Sequence, residues 1–237
     1  MNEALTLLSF GEQGWGDTIA SGVLITVSLA LATLPIGLIL GFLIALAKKS
    51  SEPSLKLAAN IYTTIFRGLP ELLTLFLVYF GVQIAIQEFI KLLGYDIYFE
   101  VNSFVAGMVA LSLVFSSYAS EAFLSAFNGI PQGQYEGGYA LGLSRYKTMR
   151  LIILPQLIRL ALPALGNLWL ILLKETSLVS VIGLADLVRE AGIAARVTKE
   201  PFLFFGLVLV IYLLLTMISS VGLLRIERWS KRGEAAR

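Results

Sequence analysis

Between Asp17 and Lys48 the chain reads TIASGVLITVSLALATLPIGLILGFLIALA, residues 18–47, with no charged side chain. Crossing the hydrocarbon layer of a bilayer takes about 20 helical residues. In lipid a backbone satisfies its own hydrogen bonds only as a helix or a closed barrel, and the alternation that marks barrel strands is absent. The stretch therefore reads as a membrane helix. It is a long one, rising about 45 Å against about 30 Å of hydrocarbon. It must tilt, bend or protrude, and Pro35 with Gly37 and Gly41 supplies a place to bend.

Working outward, the same reading recurs. No charge falls between Glu100 and Glu121 or between Glu200 and Arg225. Two further apolar stretches carry charge inside them: residues 57–87 contain Arg67 and Glu71, and residues 160–184 contain Lys174 and Glu175. Ionisable residues in a span are expensive and mark function, so the interrupted spans are the functional candidates. The chain is predicted to be all-α, a polytopic membrane protein of five helices over 18–47, 57–87, 101–127, 160–182 and 201–225. All of residues 1–237 form a single transmembrane domain.

Composition agrees. The sequence is 57% hydrophobic and 14% charged, with a mean hydropathy of +0.82, where soluble domains carry about 25% charged residues. It contains neither cysteine nor histidine, which removes disulfides, thiolate chemistry, His-ligated metals and Ser-His-Asp triads. A net charge of +2 gives no nucleic-acid footprint. The first 16 residues hold no Lys or Arg, so no basic n-region of a cleavable leader is expected.

The Lys/Arg census sets direction. Lys48, Lys49, Lys56, the Arg145, Lys147, Arg150 and Arg159 group and the tail from Arg225 to Arg237 share one side of a five-span chain. Positive-inside logic makes that side cytoplasmic, with the N-terminus outside. The Arg225, Arg228, Lys231, Arg232 cluster reads as a topology anchor, with a lipid-binding patch as the alternative.

Between the third and fourth spans lies Asn128-Gly-Ile-Pro-Gln-Gly-Gln-Tyr-Glu-Gly-Gly-Tyr-Ala-Leu-Gly-Leu-Ser144, continuing to Pro155. Pro131 suits a first helical turn, Gly142 a left-handed stop and Ser144 an N-cap. A helix–Gly–helix elbow follows, closed by Pro155. An ordinary interfacial connector is the plainer alternative.

The spacing Glu136, Gly142, Ile152, Leu154, Pro155 resembles the EAA coupling loop (130–155) of ATP-binding-cassette (ABC) importer permeases. Gly137 and Gly138 replace its two alanines. Phe66-Arg67-Gly68-Leu69-Pro70, Leu162-Pro163 with Asn167, and Leu173-Lys174-Glu175-Thr176-Ser177-Leu178 resemble elements of the polar amino-acid branch. Gly183-Leu184 with Asp186-Leu187 and Glu200-Pro201-Phe202 look most like the Q-type subunit of the histidine, lysine-arginine-ornithine and opine importers. The resemblance implies a type I ABC importer transmembrane domain in the bacterial inner membrane. It also implies an ATPase subunit dimer that binds ATP and Mg, a second permease (M-type, or a second copy), a periplasmic binding protein and surrounding membrane lipid. Gln134, Glu136, Gly137, Gly138, Ala140, Gly142 and Arg145 would couple to the ATPase. The chain itself has no Gly-x-x-x-x-Gly-Lys-Ser/Thr loop, so no cofactor and no catalytic or metal site is expected in it.

For the cargo, Glu71 and Glu121 are candidates for the cationic end of a basic amino acid or opine, because a carboxylate offers a guanidinium two parallel hydrogen bonds. Glu175, Thr176 and Ser177 would line the same passage, and Lys174 or Arg67 would hold a substrate carboxylate. The competing reading pairs Arg67 with Glu71 at i, i+4 within one kinked helix, and Lys174–Glu175 with a second subunit. A glutamine- or glutamate-type importer, an ion-coupled secondary transporter and, last, a membrane-embedded enzyme are the alternative functions.

Overall fold

The computed structural model describes residues 6–11, 13–95, 97 and 99–231. Within them, the regular structure is helical: α1 Gly16–Lys48, α2 Pro53–Gly68, α3 Glu71–Leu92, α4 Ser103–Gly129, α5 Gln132–Ala140, α6 Arg145–Thr148, α7 Leu154–Glu175, α8 Leu187–Thr198 and α9 Pro201–Lys231. A π-helical turn, Met149–Ile153, joins α6 to α7, and a 3-10 segment, Thr176–Ile182, extends α7. Five runs are long and apolar enough to cross a membrane: Gly16–Lys48, Glu71–Leu92, Ser103–Gly129, Arg145–Ile182 and Pro201–Arg228. The part of the basic tail beyond Lys231 lies outside the described residues.

α4 is the centre of the bundle, and α1 lies along it in parallel. The buried face of α1 carries small residues at three- to four-residue spacing, including Thr26, Ala30, Thr33, Gly37, Gly41 and Ala45. Without a hydrophobic driving force between helices in lipid, such stripes let backbones approach and gain dispersion energy. At Gly41 a Cβ would sit 2.8 Å from the Cβ of Ala119 and 3.0 Å from the Ser116 carbonyl oxygen. Ser112, Ser116 and Ser120 are all buried in this seam, as a close-packing face requires, and Ser120 donates to the Ser117 carbonyl. Nearer the elbow, Phe42 meets Phe123 edge-on at 5.4 Å and stacks on Phe127 at 6.1 Å.

α7 runs antiparallel to α4, with Gly129 beside Leu160 at one end and Gly107 beside Val179 at the other. A second apolar cluster, with Ile19, Leu187, Ala191, Ala194 and Phe204 buried, closes the end opposite the elbow. There Thr26 accepts the Leu187 backbone N–H at 3.2 Å, fixing α8 on α1. The loop into α4 is held by α3: Gln83 accepts the Val101 N–H at 2.7 Å and donates to the Phe99 carbonyl.

Two expectations change. The span anticipated over 57–87 is two helices, because Leu69 and Pro70 adopt extended backbone. Pro70 lacks an N–H and drives its predecessor out of the helical region. The membrane helix is therefore Glu71–Leu92, and α2 is a separate helix packed against α1 and α4. The elbow also does not close at Pro155. That residue lies at the join where the π turn Met149–Ile153 passes into α7, and the wider turn accommodates its ring and missing N–H. The preceding π turn carries the helix through, so the run anticipated as 160–182 begins at Arg145.

Candidate functional site

The elbow is built by local rules. Pro131 precedes α5, and α5 ends in a Schellman closure. The Leu143 N–H bonds the Gly138 carbonyl at 3.1 Å and the Gly142 N–H that of Tyr139 at 2.9 Å. Gly142 takes φ +76°, a left-handed conformation that strains a residue with a Cβ. Ser144 then caps α6, its Oγ accepting the Lys147 N–H at 3.3 Å. The departure from the two alanines has a packing reason at one position. A Cβ on Gly138 would lie 2.6 Å from Thr148 Cγ2, so α5 lies hard against α6; Gly137 faces open space. Gln156 donates to the Gln134 Oε1 at 3.0 Å, tying α5 to α7. Tyr135 is partly buried against the core, and that burial pushes its phenol up.

The outer face of the elbow is unpartnered in the single chain. Glu136, Gly137, Ala140 and Arg145 are exposed, and Leu141 and Tyr146 are 78% and 70% exposed. Exposed apolar side chains beside Arg145, Lys147 and Arg150 make a surface suited to a protein partner.

The membrane charges resolve into two separate clusters. In the first, Glu121 accepts from Lys48 Nζ at 2.5 Å and forms an ion pair with Arg67 Nη1 at 3.3 Å. Arg67 also lies over the Tyr118 ring at 5.6 Å. These residues with Asn60, Thr63 and Thr64 line an open cavity of about 600 Å³. Glu121, a candidate cargo contact from the sequence, has two charged neighbours here, each from a different helix. The anticipated Arg67–Glu71 pair does not form, because the extended Leu69-Pro70 link separates them and turns Arg67 to Glu121. Lys48 was read only as a topology marker, yet its side chain is 6% exposed. Its one sequence signal is its position as the first charge after a 30-residue gap.

In the second cluster, Glu71 in the first turn of α3 and Glu175 at the end of α7 bring their carboxyl groups within hydrogen-bonding reach. Lys174 is exposed on the neighbouring face. Thr176 is fully buried and donates to the Leu173 carbonyl at 2.8 Å, and Ser177 donates to that of Lys174 at 2.7 Å. Their hydroxyls secure the 3-10 turn that follows Glu175. The structure thus joins Glu71 to Glu175 and leaves Glu121 outside that pair.

Beyond the 3-10 turn, Asp186 is fully buried and caps α8, accepting the Arg189 N–H at 3.0 Å and the Val188 N–H at 3.3 Å. Burial pushes its carboxyl up to about 6, against the pull of those N–H groups.

Comparison with known proteins fits this arrangement. Residues 34–229 match the family of binding-protein-dependent transport system inner membrane components. The chain is 42% identical to the nopaline transport system permease protein NocQ of Agrobacterium fabrum, covering 97% of this chain and 98% of that protein. It is 36% identical to the histidine/lysine/arginine/ornithine transport system permease protein HisQ of Salmonella typhimurium, covering 91% and 94%. Among solved structures, an amino acid ABC transporter crystallised with histidines superposes with a TM-score of 0.76 at 35% identity, covering 90% of this chain and 94% of that one. The MetNI methionine ABC transporter shares the fold, with a TM-score of 0.73 at 18% identity over 91% and 97%. By sequence and by architecture, the chain belongs to the family of inner-membrane permease components of binding-protein-dependent transport systems.

Proposed function

We propose that this permease translocates a basic amino acid or an opine from the periplasm to the cytoplasm by alternating access. Its elbow is gripped by a separate ATPase dimer that binds ATP and Mg. A second permease chain and a periplasmic binding protein complete the assembly. The N-terminus lies outside and the elbow and C-terminus inside, in keeping with the Lys/Arg placement.

The observation that carries the cargo assignment is the convergence of Glu71 and Glu175 from two different membrane helices. Two carboxylates held together repel unless a proton or a cation lies between them. A guanidinium or ammonium satisfies both with charge-assisted hydrogen bonds. The names of the relatives, nopaline and histidine/lysine/arginine/ornithine systems, point to cargo of that chemistry. Exposed Lys174 is placed to meet the carboxylate of an amino acid.

The mechanism follows from helix continuity. From Arg145 to Ile182 the chain is one helical run, so displacement of the elbow is carried along α7 to Glu175. Glu71 rides on α3, beyond the break at Leu69-Pro70, and does not move with it. Closing the ATPase pair therefore changes the Glu71–Glu175 separation, switching between packed arrangements rather than stretching. No covalent chemistry takes place in this chain.

The test is uptake into proteoliposomes of the assembled transporter carrying Glu71→Gln and Glu175→Gln together. Uptake of labelled arginine should fall at least tenfold. Full arginine uptake by the double variant, or wild-type uptake of glutamine that arginine does not compete, would overturn the cargo assignment.

A further inference from the structure

On the face formed by α1, α7 and α9 lies a slot of about 360 Å³ that the transport path does not use. It is walled by Leu34 and Leu38 of α1, Leu165 and Trp169 of α7, and Gly222 and Leu223 of α9. Its size falls in the range of ligand sites, about 300–1,000 Å³. Gly222 opens it, since a Cβ there would meet nothing within 4 Å. All three walls belong to membrane-spanning runs, so hydrocarbon is the medium outside it.

One helical turn towards the elbow, a second hollow of about 290 Å³ lies between α7 (Gln156, Arg159), the end of α4 with the Ile130-Pro131 link, and Ser230 of α9. Arg159 is exposed and makes no ion pair among the described residues. Exposed Arg225 and Arg228 sit on the same end of α9. From Ser219 to Ile226 the slot runs about 10 Å along α9, and Ser230 of the hollow lies about 6 Å beyond, so the two together span about half of the roughly 30 Å hydrocarbon core. An apolar slot followed by a polar hollow, whose guanidinium makes no ion pair among the described residues, matches an acyl chain and the phosphate of a phospholipid.

We infer that this groove is a binding site for an anionic glycerophospholipid of the elbow-side leaflet, its acyl chain between Leu38, Trp169 and Gly222 and its phosphate on Arg159. The guanidinium recognises phosphate by paired N–H···O bonds, and surface potential concentrates anionic lipid at basic residues. The occupied groove fills the gap that α1 and α9, each packed on α7, leave between them, so the lipid braces the helix that continues from the elbow.

The experiment is native mass spectrometry of the full chain purified from membranes and exchanged into detergent with phosphatidylglycerol or phosphatidylcholine. The wild-type chain should retain one phosphatidylglycerol per copy and phosphatidylcholine at least fivefold less. Arg159→Gln should abolish that preference, and Gly222→Leu, which fills the slot, should lower retention of both lipids. Equal retention of the two lipids by the wild type, or phosphatidylglycerol retention unchanged in both variants, would overturn the site. So would a crosslink placing a second copy of the chain over Gly222. If Gly222→Leu does not fold, Arg159→Gln alone decides, because its side chain is exposed.

Discussion

Lys48, at the last turn of α1, holds Glu121 of α4 at 2.5 Å, and Arg67 from α2 completes the group at 3.3 Å on the same oxygen. Three helices are tied through a single carboxylate. Lys48 is buried while Arg67 remains 45% exposed, so the Lys48 arm carries most of the desolvation. Removing one partner from a buried pair costs more than the pair itself contributes, because a buried charge is left behind.

Glu121→Gln should therefore act on stability first. With Glu121 35% and Arg67 45% exposed to solvent, a loss of about 1–3 kcal/mol is expected, read as a lowered unfolding temperature of the purified chain. Adding Lys48→Met should restore part of it. Substrate affinity in the assembled transporter should stay within twofold; a tenfold loss of affinity with unchanged stability would instead make Glu121 a substrate contact.

The Glu71–Glu175 pair predicts the opposite pattern. Each carboxylate destabilises the other, so Glu175→Gln should raise the unfolding temperature while arginine uptake falls. A stabilising substitution that lowers activity is the signature of a strained binding site. A substitution that lowers both would mark Glu175 as structural.

At the elbow, Gly142→Ala forces a Cβ into a left-handed backbone, costing about 1 kcal/mol. Hydrolysis by the partner should persist while uptake per ATP falls. Gly138→Ala should cost stability through the clash with Thr148, and Thr148→Ala should recover it in a double-mutant cycle.

Asp186 gives a pH signature. Its carboxyl is raised from 3.8 to about 6 by burial, so the folded chain binds a proton more tightly than the unfolded chain. Stability then falls as pH rises between about 4 and 6 and is level above that, with Glu190 adding to the upward push. Asp186→Asn keeps a capping oxygen and should flatten the unfolding temperature across that window. An unchanged slope would assign the pH dependence to other groups.

The sequence made some of this legible and hid the rest for physical reasons. Charge-free runs report lipid burial directly, so residues 18–47 reveal α1 within a residue or two at each end. Gly142 and Ser144 report their own backbone roles because caps are local. Pro70 and Pro155 look alike in sequence, yet one follows a helix end and the other lies within a continuous helical run, a distinction set by the flanking extended link or π turn. The Lys48–Glu121 and Glu71–Glu175 meetings depend on which helix faces which. Sequence separations of 73 and 104 residues carry no trace of that.

Coupled transport requires elbow motion to reach Glu175 through one continuous helix. The chain has no native cysteine, so Leu73→Cys on α3 and Val181→Cys beyond Glu175 can carry spin labels for a distance measurement in the assembled transporter. ATP trapping should shift the α3–α7 distance distribution by several ångströms, and Gly142→Ala should suppress the shift. A distribution that ATP leaves unchanged, in a transporter that still imports arginine, would show that elbow motion does not reach Glu175.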